Sequence, residues 1–332
     1  MEPIILMNSK WGNDIFTPMY LFFGGLTGGL FIVAVVADLV GIKHKSFEKL
    51  SKLVAFIVPL ALVLAGLFIT FHLGKPERGM FFPLYFSNFN SWMVIGGYSV
   101  GLAFPMIIAY ALLWYYKVNQ TIRRLLGVVG IPLLGFVSLY TGLLLSGAKF
   151  VPLWSQQYLP YLFLNSGILT GLAAAGLAFL LFHTFVKTEL DDMSRILQIV
   201  GYAILALIVV EGLELYLFMN HLALNPEKLD ETGKFINPNG GALAYEYVTQ
   251  GVLAPWFWWG IVGMGLTFPL ILTFIEMIFD KIIRPYVNWV AGVKFASILA
   301  GGIILRFVIV WGGDLKAPLV FPPALFQLPL SG

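Results

Sequence analysis

The chain has 332 residues, of which 59% are hydrophobic and 11% charged, against roughly 25% charged in a typical soluble domain. So few polar groups cannot cover a surface, and the mean hydropathy of +0.88 makes lipid the expected solvent for most of the chain. The formal net charge of +3 comes without a basic run suited to nucleic acid, and cysteine is absent. Without cysteine there are no disulfides, no thiolate-held zinc or iron–sulfur cluster and no thiol nucleophile.

The first fifteen residues lack a long apolar core and a small-residue cleavage site, so the first apolar run is expected to stay in the membrane. A spanning helix takes about 20 mainly apolar residues. Eight such runs follow in order: about 16–40, 51–73, 92–116, 123–145, 160–186, 196–220, 251–279 and 288–312. They are too long and too uniformly apolar for barrel strands, so the fold class is an all-α integral membrane protein, a single polytopic domain over 1–332. GGLTGG (24–29) and GIVGMG (260–265) mark close helix packing, and Pro59, Pro105, Pro132 and Pro269 are candidate helix interruptions. Two connections are long, near 73–91 and 221–250, and the tail from Gly313 holds four prolines and reads as extended.

Lys and Arg set the orientation. Loops after odd-numbered spans, with the residues flanking them, hold twelve, and the other side with both termini holds eight. The bias places both termini and the two long loops outside, in the cytoplasmic (inner) membrane of a prokaryote.

An ionisable group at bilayer depth is costly unless paired or hydrated, so each is a functional candidate. Glu211 and Glu214 lie inside span 6, three residues apart, and either suits proton transfer or an interhelical hydrogen bond. Arg195 opens span 6 and is both a proton-transfer candidate and a positive-inside anchor. Arg306 is close enough to the end of span 8 to snorkel. His72 and His221 close spans 2 and 6 on one side, at span ends where haem ligands would be out of place. His44 in a loop and His183 near the end of span 5 read as structural. Tyr20 stands at the start of span 1, a usual place for the interfacial aromatic belt, whereas Tyr140 in span 4 lies deeper, between Ser138 and Thr141.

Four segments together resemble one family: WGNDIFTPMYLFFGGLTGG (11–29), HLGKPER (72–78) with SWMVIG (91–96), SLYTGLLLS (138–146) and LAPWFWWGIVGMGLTFPL (253–270). In this order over nearly the whole chain they are similar to the NrfD/PsrC family, the quinone-binding membrane subunits of polysulfide reductase-like complexes. The resemblance implies eight spans in two four-helix bundles. It implies a quinone site near the outer face, beside a ferredoxin-like iron–sulfur subunit that exchanges electrons with a molybdopterin catalytic subunit. The family's quinone contacts, at the start of span 1 and on a span-4 tyrosine, fall on Thr17, Tyr20 and Tyr140. Thr17 and Tyr20 stand where polysulfide reductase members have Asn and His, and His72 where relatives often carry an acid.

The residues themselves fit that role. Quinol oxidation releases two protons and two electrons, and the site needs hydrogen-bond partners for two ring oxygens. Histidine can accept a proton near neutrality, Tyr140 can donate to an oxygen, Lys75 favours a charged intermediate, and Trp92 lies nearby in the Phe-rich stretch 79–92 that would roof an apolar slot. With no metal or haem of its own, the chain is expected to work only with its partners, using menaquinone or ubiquinone as cofactor. A proton-coupled secondary transporter is the alternative reading, and a passive anchor the third.

Overall fold

The computed structural model describes residues 14–72, 88–148, 151–186, 190–224, 228–229, 235–237, 240–278 and 286–314. Among them are eight helices long and apolar enough to cross a membrane. They are span 1 (Phe16–Val40), span 2 (Ser46–His72), span 3 (Trp92–Tyr115), span 4 (Gln120–Ser146), span 5 (Leu159–Val186), span 6 (Leu190–Ala223), span 7 (Trp256–Ile278) and span 8 (Val287–Trp311). The chain is a multi-pass membrane protein. Spans 2 and 6 begin earlier than hydropathy places them, at Ser46 and Leu190, because their first turns are polar helix extending beyond the hydrocarbon layer. The long connection after span 6 adds a short antiparallel pair, Lys228–Leu229 with Phe235–Asn237, and a ten-residue helix, Gly240–Thr249.

The starts of the odd-numbered spans and the ends of the even-numbered spans share one face, here the termini face, and their other ends share the opposite, short-loop face. Span 1 is the axis of the bundle. It packs on spans 2, 4, 5 and 8, and 72% of its apolar window is buried, against 22% for spans 3 and 7 at the periphery. Its glycines make that position possible. At Gly29 a Cβ would strike the Gly167 carbonyl, and at Gly171 it would strike the backbone of Gly29, so spans 1 and 5 meet backbone to backbone. The outward faces carry the apolar residues that lipid covers, such as Leu60, Val63 and Leu67 on span 2 and Val209, Leu213 and Tyr216 on span 6.

Pro59, Pro105 and Pro132 lie inside continuous helices. The irregular span is span 7, where Trp256–Thr267 runs as a π-helix before Phe268–Ile278 resumes the α-form just ahead of Pro269.

At the short-loop end, four spans are tied by a buried ionic knot. The Asp38 carboxylate of span 1, fully buried, accepts both Arg123 N–H groups at 2.7 and 2.6 Å, Arg124 Nε at 3.1 Å and the Tyr110 hydroxyl at 3.1 Å. Arg124 also donates to Glu48 of span 2 at 2.7 Å, and the Arg123 guanidinium lies 3.4 Å from the ring centroid of Trp114.

Candidate functional site

The termini-face ends of spans 1 to 4 bring together most of the residues the sequence singles out. Asp14 precedes span 1, and its Oδ1 accepts the backbone N–H groups of Phe16 at 2.9 Å and Thr17 at 3.2 Å, satisfying two of the donors a helix start leaves free. Its Oδ2 accepts the Thr17 hydroxyl and lies 3.2 Å from His72 Nδ1 at the end of span 2. The Thr17 hydroxyl is itself 3.2 Å from that nitrogen. The Asp14 carbonyl accepts the Trp311 indole N–H at 3.2 Å, which fastens the start of span 1 to the end of span 8. His72 is about one-third exposed and the Asp14 side chain 6%, so the imidazole is the open edge of a mostly enclosed carboxylate cluster.

Tyr20 follows Thr17 by three residues and so shares its helix face. Its hydroxyl and that of Tyr140 face each other across spans 1 and 4. Tyr140 is 3% exposed, and its ring lies flush on Gly96 of span 3, where any Cβ would overlap ring carbons. The pair therefore joins three spans, and the absence of a side chain at 96 gives the ring its place. Phe23 and Phe68 stack at 5.5 Å and Phe16 meets Phe71 at 6.1 Å, lining the seam between spans 1 and 2 with aromatic surface that is exposed at Phe16 and Phe71.

The remaining candidates divide. Trp92, half-buried, lies 3.9 Å from where a Cβ would stand on Gly147 at the end of span 4. Lys75 lies outside the described residues. His221 packs on Tyr158 at 5.0 Å between ring centroids, away from the spans 1–4 cluster. The side chain of His183 also lies outside the described residues. Asp14 is the site residue that sequence reasoning passed over. The signal was there: an Asp just ahead of an apolar helix start, with Pro18 in the first turn.

A second polar cluster sits deep between spans 5, 6, 7 and 8. Glu211 is 5% exposed and faces Ser166 of span 5. Arg306 does not snorkel. It is fully buried, donates to the Ser166 hydroxyl at 2.5 Å and the Phe163 carbonyl at 3.3 Å, and lies 4.5 Å over the Phe163 ring. Snorkelling fails because a carboxylate, a hydroxyl and carbonyl oxygens surround the guanidinium in the interior and remove its need to reach water. Glu214, one turn on from Glu211, is half-buried. Arg195 is exposed at the other end of span 6, about 24 Å along the helix at 1.5 Å per residue, and takes no part in this cluster.

A family model for polysulphide reductase, NrfD, matches residues 6–317. The chain belongs to the NrfD family. It is 27% identical to the C subunit of polysulfide reductase from Wolinella succinogenes, the match covering 93% of this chain and 99% of that one. It is 26% identical to protein NrfD of Escherichia coli over 90% and 93% of the two chains. The near-complete coverage in both directions places the termini-face tyrosine pair and the interior Glu211–Arg306 cluster within the family's shared membrane domain.

Proposed function

We propose that this NrfD-family chain is the membrane anchor and quinone-reactive subunit of a respiratory iron–sulfur and molybdopterin oxidoreductase complex. The observation that carries this reading is the Tyr20–Tyr140 hydroxyl pair, set on Gly96 at the same end of the bundle as the Asp14–Thr17–His72 cluster. A quinone needs a donor to each ring oxygen, a group that exchanges protons, and apolar walls. Tyr140 and Tyr20 supply phenolic donors, His72 beside Asp14 supplies the proton-exchanging group at the open edge, and the aromatic seam of Phe16, Phe23, Phe68 and Phe71 supplies walls that open toward lipid. Lys75 follows His72 in the chain and is assigned to the same site, with Thr17 orienting the imidazole. Electrons pass to or from a ferredoxin-like subunit docked on the termini face, which in this reading is the outer face of a prokaryotic inner membrane. Glu211 and Glu214 carry protons through the interior.

Removing one donor from a buried oriented contact costs about 1–3 kcal/mol, roughly one to two decades of affinity or rate. Tyr140→Phe in the assembled complex is therefore expected to lower the rate with a quinol analogue by that factor, while an artificial dye that bypasses the quinone still drives the partner subunits at the wild-type rate. Equal loss with both donors would return Tyr140 to helix packing.

A further inference from the structure

The charge of the short-loop face is unevenly divided. The connections after spans 1 and 3, with the span ends that flank them, hold seven basic residues against two acidic ones over 38–52 and 117–124. The connections after spans 5 and 7 hold five against five over 187–195 and 276–294. Orientation asks for positive residues on every connection of one side, so it does not by itself gather the whole surplus at spans 1 to 4. The Asp38 knot sharpens the imbalance. Arg123 and Arg124 engage the two carboxylates, Asp38 and Glu48. The surplus falls to Lys43, Lys45, Lys52 and Lys117, all exposed, and to half-buried Lys49.

Two of these lysines stand at the edge of lipid-covered surface. Lys52 heads the outward stripe of span 2, where Phe56, Leu60, Val63 and Leu67 follow it at helical spacing, each between 43% and 59% exposed. Lys117 follows Tyr115 and Tyr116, 66% and 69% exposed, whose rings meet edge to face at 5.1 Å. Tyrosines so placed suit the headgroup level, where ring and hydroxyl are both accommodated. Lys117 also ends span 3 at φ 51°, a left-handed conformation usually left to Gly or Asn, so a cation is kept where the backbone favours another residue. Ser51, beside Lys52, meets the Tyr110 hydroxyl of span 3 at 3.3 Å, which sets the two basic helix ends next to each other. We propose that the short-loop end of spans 1 to 4 is a binding site for anionic phospholipid, with Lys52 and Lys117 on the headgroup phosphate and the acyl chains along the outward faces of spans 2 and 3. Lysine clusters at the ends of membrane helices attract anionic headgroups. A phospholipid covers the charge and the apolar stripe together, which an acidic soluble protein cannot do. Bound there, it braces the four span ends that the Asp38 knot joins. The site lies at the end of the bundle opposite Tyr20 and Tyr140 and is independent of the quinone reading.

The test uses the full chain, purified in a neutral detergent and titrated with phosphatidylglycerol, cardiolipin or phosphatidylcholine. Thermal midpoint and the lipid retained in native mass spectrometry are read together. Phosphatidylglycerol and cardiolipin are expected to raise the midpoint and to stay bound, phosphatidylcholine to do neither, and about 1 M salt, which screens charges within about 3 Å, to abolish the effect. Lys43→Gln/Lys45→Gln/Lys52→Gln/Lys117→Gln is expected to weaken phosphatidylglycerol binding by about a hundredfold or more, whereas the same four positions changed to Arg bind as the wild type does. Equal midpoints before lipid is added show that the variants are folded. Should the fourfold Gln variant fail to fold, Lys52→Gln/Lys117→Gln takes its place, with an expected loss of about tenfold. Binding equal in wild type and Gln variants, or phosphatidylcholine as effective as phosphatidylglycerol, would overturn the site. Stabilisation by inorganic phosphate equal to that by phosphatidylglycerol would overturn it as well, leaving only general attraction of anions, and the same result with polyglutamate would replace the lipid by an acidic protein.

Discussion

At the scale of single residues, the site is defined as much by a missing side chain as by those present. The Tyr140 ring rests on Gly96, and even a methyl group there would overlap it. Gly96→Ala must push the ring off its position or part spans 3 and 4, an overpacking cost of about 1–3 kcal/mol. The expected outcome is a quinone affinity lowered at least as far as in Tyr140→Phe, since the tyrosine would lose both its orientation and its Tyr20 partner. Titration of a quinone-site inhibitor against the purified variant checks this, and affinity equal to wild type would show that the ring's position does not matter to the site. Tyr140 and His72 were legible in the sequence because tyrosine and histidine announce their chemistry wherever they occur. Gly96 was legible only as part of a motif, because what a glycine admits depends on a helix elsewhere in the chain. Asp14 went unread although its place ahead of an apolar helix is a cap signal, and its proximity to His72, fifty-eight positions away, arises only when spans 1 and 2 pack. Arg306 was misjudged for the same reason: its distance from the span end favoured snorkelling, and the interior partners that hold it are on spans 5 and 6.

At the scale of elements, span number could be read directly, because the thickness of the hydrocarbon layer fixes how long an apolar run must be, whereas the polar first turns of spans 2 and 6 lay outside the apolar runs. The π-helix of span 7 could not. Its sequence, WFWWGIVGMGLT, is apolar throughout, and the close approach of Gly260 and Gly265 to Ile304 and Gly301 of span 8 is seen only in the folded bundle. The prolines that read as interruptions are absorbed in spans 2, 3 and 4, where neighbouring helices and local adjustment satisfy the freed backbone groups. The Asp38 knot shows how charged residues near a helix end become structural. Its carboxylate, 0% exposed, faces Arg123 and Arg124, both drawn from the start of span 4. Removing one partner of a buried ion pair costs about 3–5 kcal/mol, because the other charge is left uncompensated. Asp38→Asn is therefore expected to lower the thermal midpoint of the detergent-solubilised chain markedly, and Asp38→Asn/Arg123→Gln to recover part of the loss. A single variant that melts with the wild type would show that the knot contributes nothing to holding spans 1 to 4 together.

At the scale of the whole molecule, the two faces differ in kind. The short-loop face carries buried ion pairs that bind helix to helix, Asp38 with Arg123 and Glu276 with Lys294. The termini face carries the tyrosine pair and the open His72 edge. Three of the cations that set the expected orientation, Arg123, Lys294 and Arg306, are buried among the described residues. Setting them aside leaves ten on the short-loop side against seven on the termini side, so the bias survives the loss of those that serve packing. Positive residues are retained on the cytoplasmic side, so the termini face with its His72 edge is expected outside. On the proposed function, a quinone site at that face passes electrons straight to a subunit docked there. A fusion at Gly332 tests the premise. Alkaline phosphatase, which folds only outside the cytoplasm, is expected to be active there, and a green fluorescent protein that does not mature after export is expected to be dark. The same pair fused within the loop between spans 3 and 4 should give the reverse. A dark phosphatase and a bright fluorophore at Gly332 would invert the molecule, put the tyrosine pair on the cytoplasmic side, and require its electron partner to be a cytoplasmic protein.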